Sequence, residues 1–224
     1  MPRQPELVLI GIVLCLTILP TMTLLNWLDH LDKTLFVLIQ HDADGGLLDK
    51  TMPVLREPLT WVPLYGFMLF YAFRRGAAKA WPFIVLTLLA FVFTDTVTAQ
   101  LLKPLFCRLR PCHDPDLQPV IRGLVECGGM YSMPSNHASN HFGLAAFWYF
   151  SIRQMTGRKW VWLWFWAAAV CYAQVYVGKH YPFDILAGAG FGFLTGWGTY
   201  RLFVYWEDRL GHPIFANPPG GGFI

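Results

Sequence analysis

The 224 residues include only 14% charged side chains, while 55% are hydrophobic and 17% aromatic. Soluble domains average roughly 25% charged and 45–50% apolar. Such a composition excludes intrinsic disorder, a disulfide-dense mini-protein and a basic nucleic-acid-binding domain. A net charge of +3 is too small to point to a polyanion. The excess of apolar mass points first to a bilayer.

Uncharged runs recur along the chain. Leu7–Leu28 holds no Asp, Glu, Lys or Arg, and its apolar stretch is too long for a cleavable signal. Leu59–Phe73 is shorter. Ala80–Leu102 is broken only by Asp95. Asn136–Ile152, Trp160–Gly178 and Ile185–Tyr200 complete the series. A spanning helix needs about 20 such residues. No ten-residue alternation suggests a barrel. The expected fold is all-α, a polytopic six-transmembrane-helix bundle with short extracytoplasmic helices. Four spans with two buried or re-entrant helices is the alternative. Residues 1–211 form one membrane-embedded domain, and the Pro/Gly-rich stretch 212–224 reads as a tail.

Six spans place both termini on one side. That side then carries nine of the 17 Lys and Arg against three acids, and its connectors 74–79 and 153–159 are short and basic. This side is expected to be cytoplasmic. The opposite side carries the long connectors 26–58 and 103–133. Within the first, 31–39 reads as a short interfacial helix.

Three polar clusters fall at span ends on that opposite side. They are Lys103-Pro104-Leu105-Phe106-Cys107-Arg108-Leu109-Arg110-Pro111, then Pro134-Ser135-Asn136-His137, then Gly178-Lys179-His180-Tyr181-Pro182-Phe183-Asp184. Singly, a basic residue at a span end snorkels to the interface, and a lone His at a helix start is structural. Together they form a set. Lys103 and Arg110 offer fixed charge and a fork suited to phosphate oxygens. Ser135 and Asn136 precede a helix whose free N–H groups can hold an anion, with Asn136 as the expected N-cap. His137 in the first turn can exchange a proton. Pro182 suits the first helical position, which lets Asp184 reach back to His180 and fix its tautomer. Metal-free phosphoryl transfer is the chemistry this set fits.

Lys-x6-Arg-Pro, Pro-Ser-x-His and His-x3-Asp, in this order at span ends, resemble the type-2 phosphatidic acid phosphatase superfamily. That group includes membrane lipid phosphatases and soluble vanadium haloperoxidases. The resemblance implies that His180 is the nucleophile forming a phosphohistidine, and that Asp184 orients it. It implies that His137 protonates the leaving oxygen and then activates water. Lys103, Arg110 and Ser135 bind the phosphate, with no cofactor and no metal. The family usually carries Ser-Arg six to seven residues before the nucleophile, where this chain has Ala173 and Gln174. Gln174 can donate hydrogen bonds but brings no charge. Lys179, Arg108 or Arg122 is expected to compensate, Lys179 first because it adjoins His180. The second departure is Asn136, where the family motif has Gly; the backbone N–H is retained.

The implied protein is an integral-membrane lipid phosphatase, with its site on the extracytoplasmic face of a bacterial inner membrane and both termini cytoplasmic. Its partners are membrane lipids carrying phosphate or diphosphate, and not nucleic acid. Candidate substrates are polyprenyl (undecaprenyl) diphosphates, phosphatidic acid, phosphatidylglycerol phosphate and phosphorylated glycolipids. A phosphotransferase between lipids, or a non-catalytic lipid-phosphate binder or transporter, are the alternatives. Asp95, inside a span, either balances the phosphate-binding cations or bonds to a neighbouring helix. His141, one turn after His137, reads as a supporting or packing residue rather than a metal ligand. Cys15 and Cys171 lie within spans. Cys112 and Cys127 share the long loop and can close it as a disulfide on an oxidising side; metal binding through Cys112, His113 and Cys127 is the rival. Non-reducing electrophoresis separates these: a mobility shift on reduction, absent in Cys112→Ser, is expected for the disulfide.

Overall fold

The computed structural model describes residues 23–40, 46–74 and 77–209. Most of the expected first span, and the tail 212–224, lie outside the described residues. The described elements are helical. Residues 23–40 form α1, followed by α2 (Leu47–Arg56), a 3-10 turn (Pro58–Trp61) and α3 (Val62–Arg74). Next come α4 (Ala77–Thr96), a π-helical segment (Val97–Leu102) and α5 (Lys103–Phe106). The chain closes with α6 (Asn136–Thr156), α7 (Trp162–Tyr176) and α8 (Pro182–Arg209).

Among the described residues, one continuous helix is long and apolar enough to cross a membrane, Ala80–Phe106 with 27 residues. It joins α4, the π segment and α5. It stops where Cys107 turns into the left-handed region at φ 48°. Only a third of its most apolar stretch is buried within the protein. Leu88, Leu89, Val92 and Phe93 point outward, as a lipid-facing surface would. α7 has 15 residues and α3 has 13, each shorter than a full span. The expected 31–39 helix is the second half of the longer α1.

α6 is the central helix. Ser135 caps it, its hydroxyl accepting from Ala138 N–H. Gly157 at φ 71° ends it, with its N–H on Arg153 carbonyl. Along its length Leu144, Phe147, Trp148 and Ile152 are buried against Phe83, Leu86, Leu163, Trp166, Val170 and Phe203 of α4, α7 and α8. Its other face meets α8 through glycines four residues apart. A Cβ on Gly188 would stand 2.5 Å from Ser135 carbonyl oxygen, on Gly192 2.2 Å from that of Ser139, and on Gly196 2.2 Å from that of Gly143. The two backbones therefore touch, which only small residues permit.

α1 and α2 cover the α7–α8 connector on one end of the bundle. Gln40 donates to the carbonyls of Val175 and Tyr176 at 2.8 and 3.0 Å. Phe36 packs edge-on against Tyr181. Tyr176 hydroxyl donates to Asp49 at 2.7 Å. Gly192→Ala is expected to cost about 1–3 kcal/mol through overpacking. A lower melting temperature in detergent checks it, with Gly190→Ala, which meets nothing within 4 Å, as the unchanged control.

Candidate active site

Two helix N-termini meet at the covered end. The N–H of Ser135, at the head of α6, donates to Asp184 carbonyl at 3.0 Å in the first turn of α8. Pro182 occupies the first position of α8, so its missing N–H leaves no donor unsatisfied. Asp184 is fully buried, and its Oδ2 accepts from Tyr181 N–H at 2.8 Å. The same oxygen lies 3.5 Å from His180 Nδ1. Its Oδ1 accepts from Arg108 at 3.0 Å. The Asp184 carboxylate thus faces Nδ1, a charge contact with no hydrogen bond among the described residues, and favours the tautomer that leaves Nε2 basic. Burial pushes His180 down to about 4 against the opposing pull of Asp184. Its imidazole is therefore neutral, with its lone pair free, at neutral pH.

His137 sits in the first turn of α6, within electrostatic range of His180, Arg56 and Lys179. His141 supports it from one turn on: its Nδ1 donates to the His137 carbonyl, 2.8 Å away. The two rings are stacked with centroids 6.2 Å apart. Lys103 follows the π segment, and its ammonium donates to the carbonyls of Tyr131 and Ser132 at 3.1 and 3.3 Å. Arg110 is tied to the same loop, its N–H on Met130 carbonyl at 3.0 Å. The guanidinium reaches Lys179 carbonyl at 3.5 Å, and its buried Nε has no hydrogen-bond partner among the described residues. Cys112 and Cys127 are bonded, with Cα atoms 5.9 Å apart. They close a loop that begins two residues after Arg110.

Several sequence expectations change. Ser135, not Asn136, is the N-cap, and its hydroxyl is turned to the helix. Asn136 turns its amide to Asp95, donating to the carboxylate at 3.1 Å and the carbonyl at 3.2 Å. Asn140 donates to the same carboxylate at 3.0 Å. Asp95 thus ties α4 to α6 through the Asn136 side-chain amide, which leaves the Asn136 backbone N–H as the group by which this residue would meet a phosphate. Arg108 does not stand in for the missing arginine. It is held by Asp32, Asp29 and Asp184 at 2.6, 3.0 and 3.0 Å and lies 4.0 Å over the Tyr181 ring. Arg122 is paired with Asp49.

Gln174 is fully buried. Its Oε1 accepts from Arg56 Nε at 3.4 Å, and its Nε2 has no partner among the described residues. Arg56 closes α2, 118 positions earlier in the chain. Sequence reasoning missed it, because its only local signal is an arginine in the last turn of a connector helix. Burial, with repulsion from Arg56 and Arg110 added, pushes Lys179 down to about 8.

Residues 79–208 match the PAP2 superfamily. Lipid A 4'-phosphatase of Porphyromonas gingivalis is 29% identical over 199 residues, covering 87% of this chain and 82% of that protein. Lipid A 4'-phosphatase of Bacteroides thetaiotaomicron is 31% identical, covering 89% and 87%. The crystal structure of Aquifex aeolicus LpxE superposes with a TM-score of 0.56 at 25% identity, over 76% of this chain and 95% of that one. A transmembrane PAP2-type phosphatidylglycerolphosphate phosphatase from Bacillus subtilis shares the fold, with a TM-score of 0.63 at 20% identity over 94% and 98%. The fold and the ordered site therefore define a membrane phosphatase, a phosphoric ester hydrolase. The chain belongs to the PAP2 superfamily.

Because Lys179 is pushed down to about 8, its charge is present below that pH and lost above it. Phosphate affinity is expected to fall as pH rises through about 8, and Lys179→Arg to move that fall to higher pH. Competition by inorganic phosphate across a pH series checks both.

Proposed function

We propose that this chain hydrolyses the phosphate of a phosphorylated glycolipid of the lipid A kind, at the extracytoplasmic face of the membrane, through a phosphohistidine and without a metal. One observation carries the chemistry: a neutral, buried His180 backed by Asp184, near His137 and near Lys103 and Arg110, which meet carbonyls rather than carboxylates among the described residues. The relatives named lipid A 4'-phosphatase support the substrate class. In this reading the chain spans the bilayer six times and both termini are cytoplasmic.

Catalysis proceeds in two displacements. Lys103 and Arg110 draw the phosphate oxygens in, and the N-terminus of α6 adds its dipole. His180 Nε2 attacks phosphorus, and the bond from phosphorus to the lipid oxygen breaks. The dianionic phosphate favours protonated His137, which gives its proton to the departing alkoxide. Asp184 stabilises the proton held on Nδ1 of His180 as the ring gains charge. Neutral His137 then takes a proton from water, whose oxygen attacks phosphorus. The P–N bond breaks, His180 regains its lone pair, and inorganic phosphate leaves. The lipid tail stays in the bilayer throughout.

Purified protein in detergent is expected to release phosphate from lipid A alone, unaffected by chelator. His180→Ala is expected to lower the rate by about 1,000-fold or more. Polyprenyl diphosphate, phosphatidic acid and phosphatidylglycerol phosphate, offered in parallel, test the substrate class. Release that is strongest from one of these would overturn the glycolipid assignment while leaving the chemistry in place.

A further inference from the structure

Gln174 is a fully buried amide whose Nε2 donors have no acceptor among the described residues. Leaving a buried donor unmade costs about 1–3 kcal/mol, so such a group calls for an acceptor that arrives with a ligand. Its Oε1 is already used, accepting from Arg56 Nε at 3.4 Å. That contact aligns a guanidinium beside an amide that lacks an acceptor. Both belong to the wall on which Lys179, Arg110 and His137 also lie, because Arg56 is within electrostatic range of each.

The cations of this end of the bundle divide by their partners. Arg108 meets three carboxylates and Arg122 meets Asp49. The carboxylate given to Arg56 is that of Glu57, whose side chain is about half exposed at 54% while that of Arg56 is 12% exposed. A solvated carboxylate neutralises little. Arg56 is therefore a poorly compensated, largely buried charge facing the nucleophile's surroundings. A dianion is the ligand chemistry that satisfies both it and the Gln174 amide.

We propose that Arg56 and Gln174 act together as a phosphate-binding pair, with Arg56 reaching from α2 to supply the charge absent at position 174. Arg56 is then a catalytic residue that touches the transferred phosphoryl group, and Gln174 both steers it and donates to the same group. The charge has moved from α7 to a connector helix. α2 thus becomes part of the active site rather than a cover over it, and the ties from α2 to α7 through Asp49 and Tyr176 hold the pair in register.

This assignment rests on the phosphatase chemistry proposed above, and the test separates the two. The parent chain and His180→Ala are assayed first for phosphate release from lipid A. Arg56→Ala is expected to lower kcat/KM by about 10- to 100-fold, with an unchanged melting temperature. Gln174→Arg placed on Arg56→Ala is expected to restore at least a tenth of the parent rate, since it returns a guanidinium to the same spot; Arg56→Lys, keeping charge without the fork, falls between. Binding of inorganic phosphate to His180→Ala protein, followed by calorimetry, supplies a readout independent of turnover. Adding Arg56→Ala there is expected to weaken binding about tenfold or more. Arg56→Ala within threefold of the parent in both assays overturns the proposal. So does a loss that Gln174→Arg does not restore, accompanied by unaltered phosphate binding. A parent chain that releases no phosphate from any lipid, yet loses phosphate binding with Arg56→Ala, overturns the chemistry and leaves this binding pair standing.

Discussion

The close crossing of α6 and α8 is the contact on which the site depends. Glycines at 188, 192 and 196 bring the α8 backbone against the carbonyls of Ser135, Ser139 and Gly143. No side chain of ordinary size fits between them. With the backbones in contact, the N–H of Ser135 reaches the carbonyl of Asp184. The two helix N-termini are then locked side by side. His137 on one and the His180–Asp184 pair on the other face a common space, with two helix dipoles turned the same way toward an anion. Widening the crossing by one methyl group would move His137 away from the His180–Asp184 pair.

Around this junction the charges sort by what they touch. Carboxylates gather on Arg108: Asp29 and Asp32 from α1, and Asp184 from α8. Asp32 also accepts from Phe183 N–H at 2.9 Å, which ties α1 to the first turn of α8. The arginine is thereby structural, neutralised by acids and stacked on Tyr181. Lys103 and Arg110 differ, meeting backbone carbonyls rather than carboxylates. A carbonyl positions a cation without cancelling its charge, so the charge stays available to a phosphate. The disulfide between Cys112 and Cys127 closes the loop that begins two residues after Arg110. The ion pair of Lys33 with Asp114 at 2.8 Å ties the same loop to α1.

Much of the site was legible because its chemistry lies in short contiguous motifs at helix ends. The histidine and aspartate four apart, the proline at the first position of α8 and the basic pair before a long loop all read directly from local spacing. Other features were not local. Serine and asparagine are both good N-caps, so whether position 135 or 136 caps α6 depends on what the neighbouring helix offers. Asp95 supplies that answer by accepting from both Asn136 and Asn140. Arg108 and Arg110 are two residues apart and chemically alike, yet among the described residues one pairs with three acids and the other with none. Arg56 has no motif around it, and its contact with Gln174 spans 118 positions.

By itself the sequence determined the class of chemistry and the membrane setting. Scarce charge leaves few polar residues, and those that remain cluster where apolar runs end. The motifs that carry His137, His180 and Asp184 were readable, because they depend on side-chain type and on spacing within one helical turn. Tertiary structure decided which cations meet carboxylates and which meet only backbone carbonyls. Charge availability is a property of neighbours, not of residue type: a guanidinium ringed by carboxylates and one facing a solvated glutamate are the same letter in the sequence. Packing α1 and α2 over the α7–α8 connector neutralised Arg108 and brought Arg56 to Gln174.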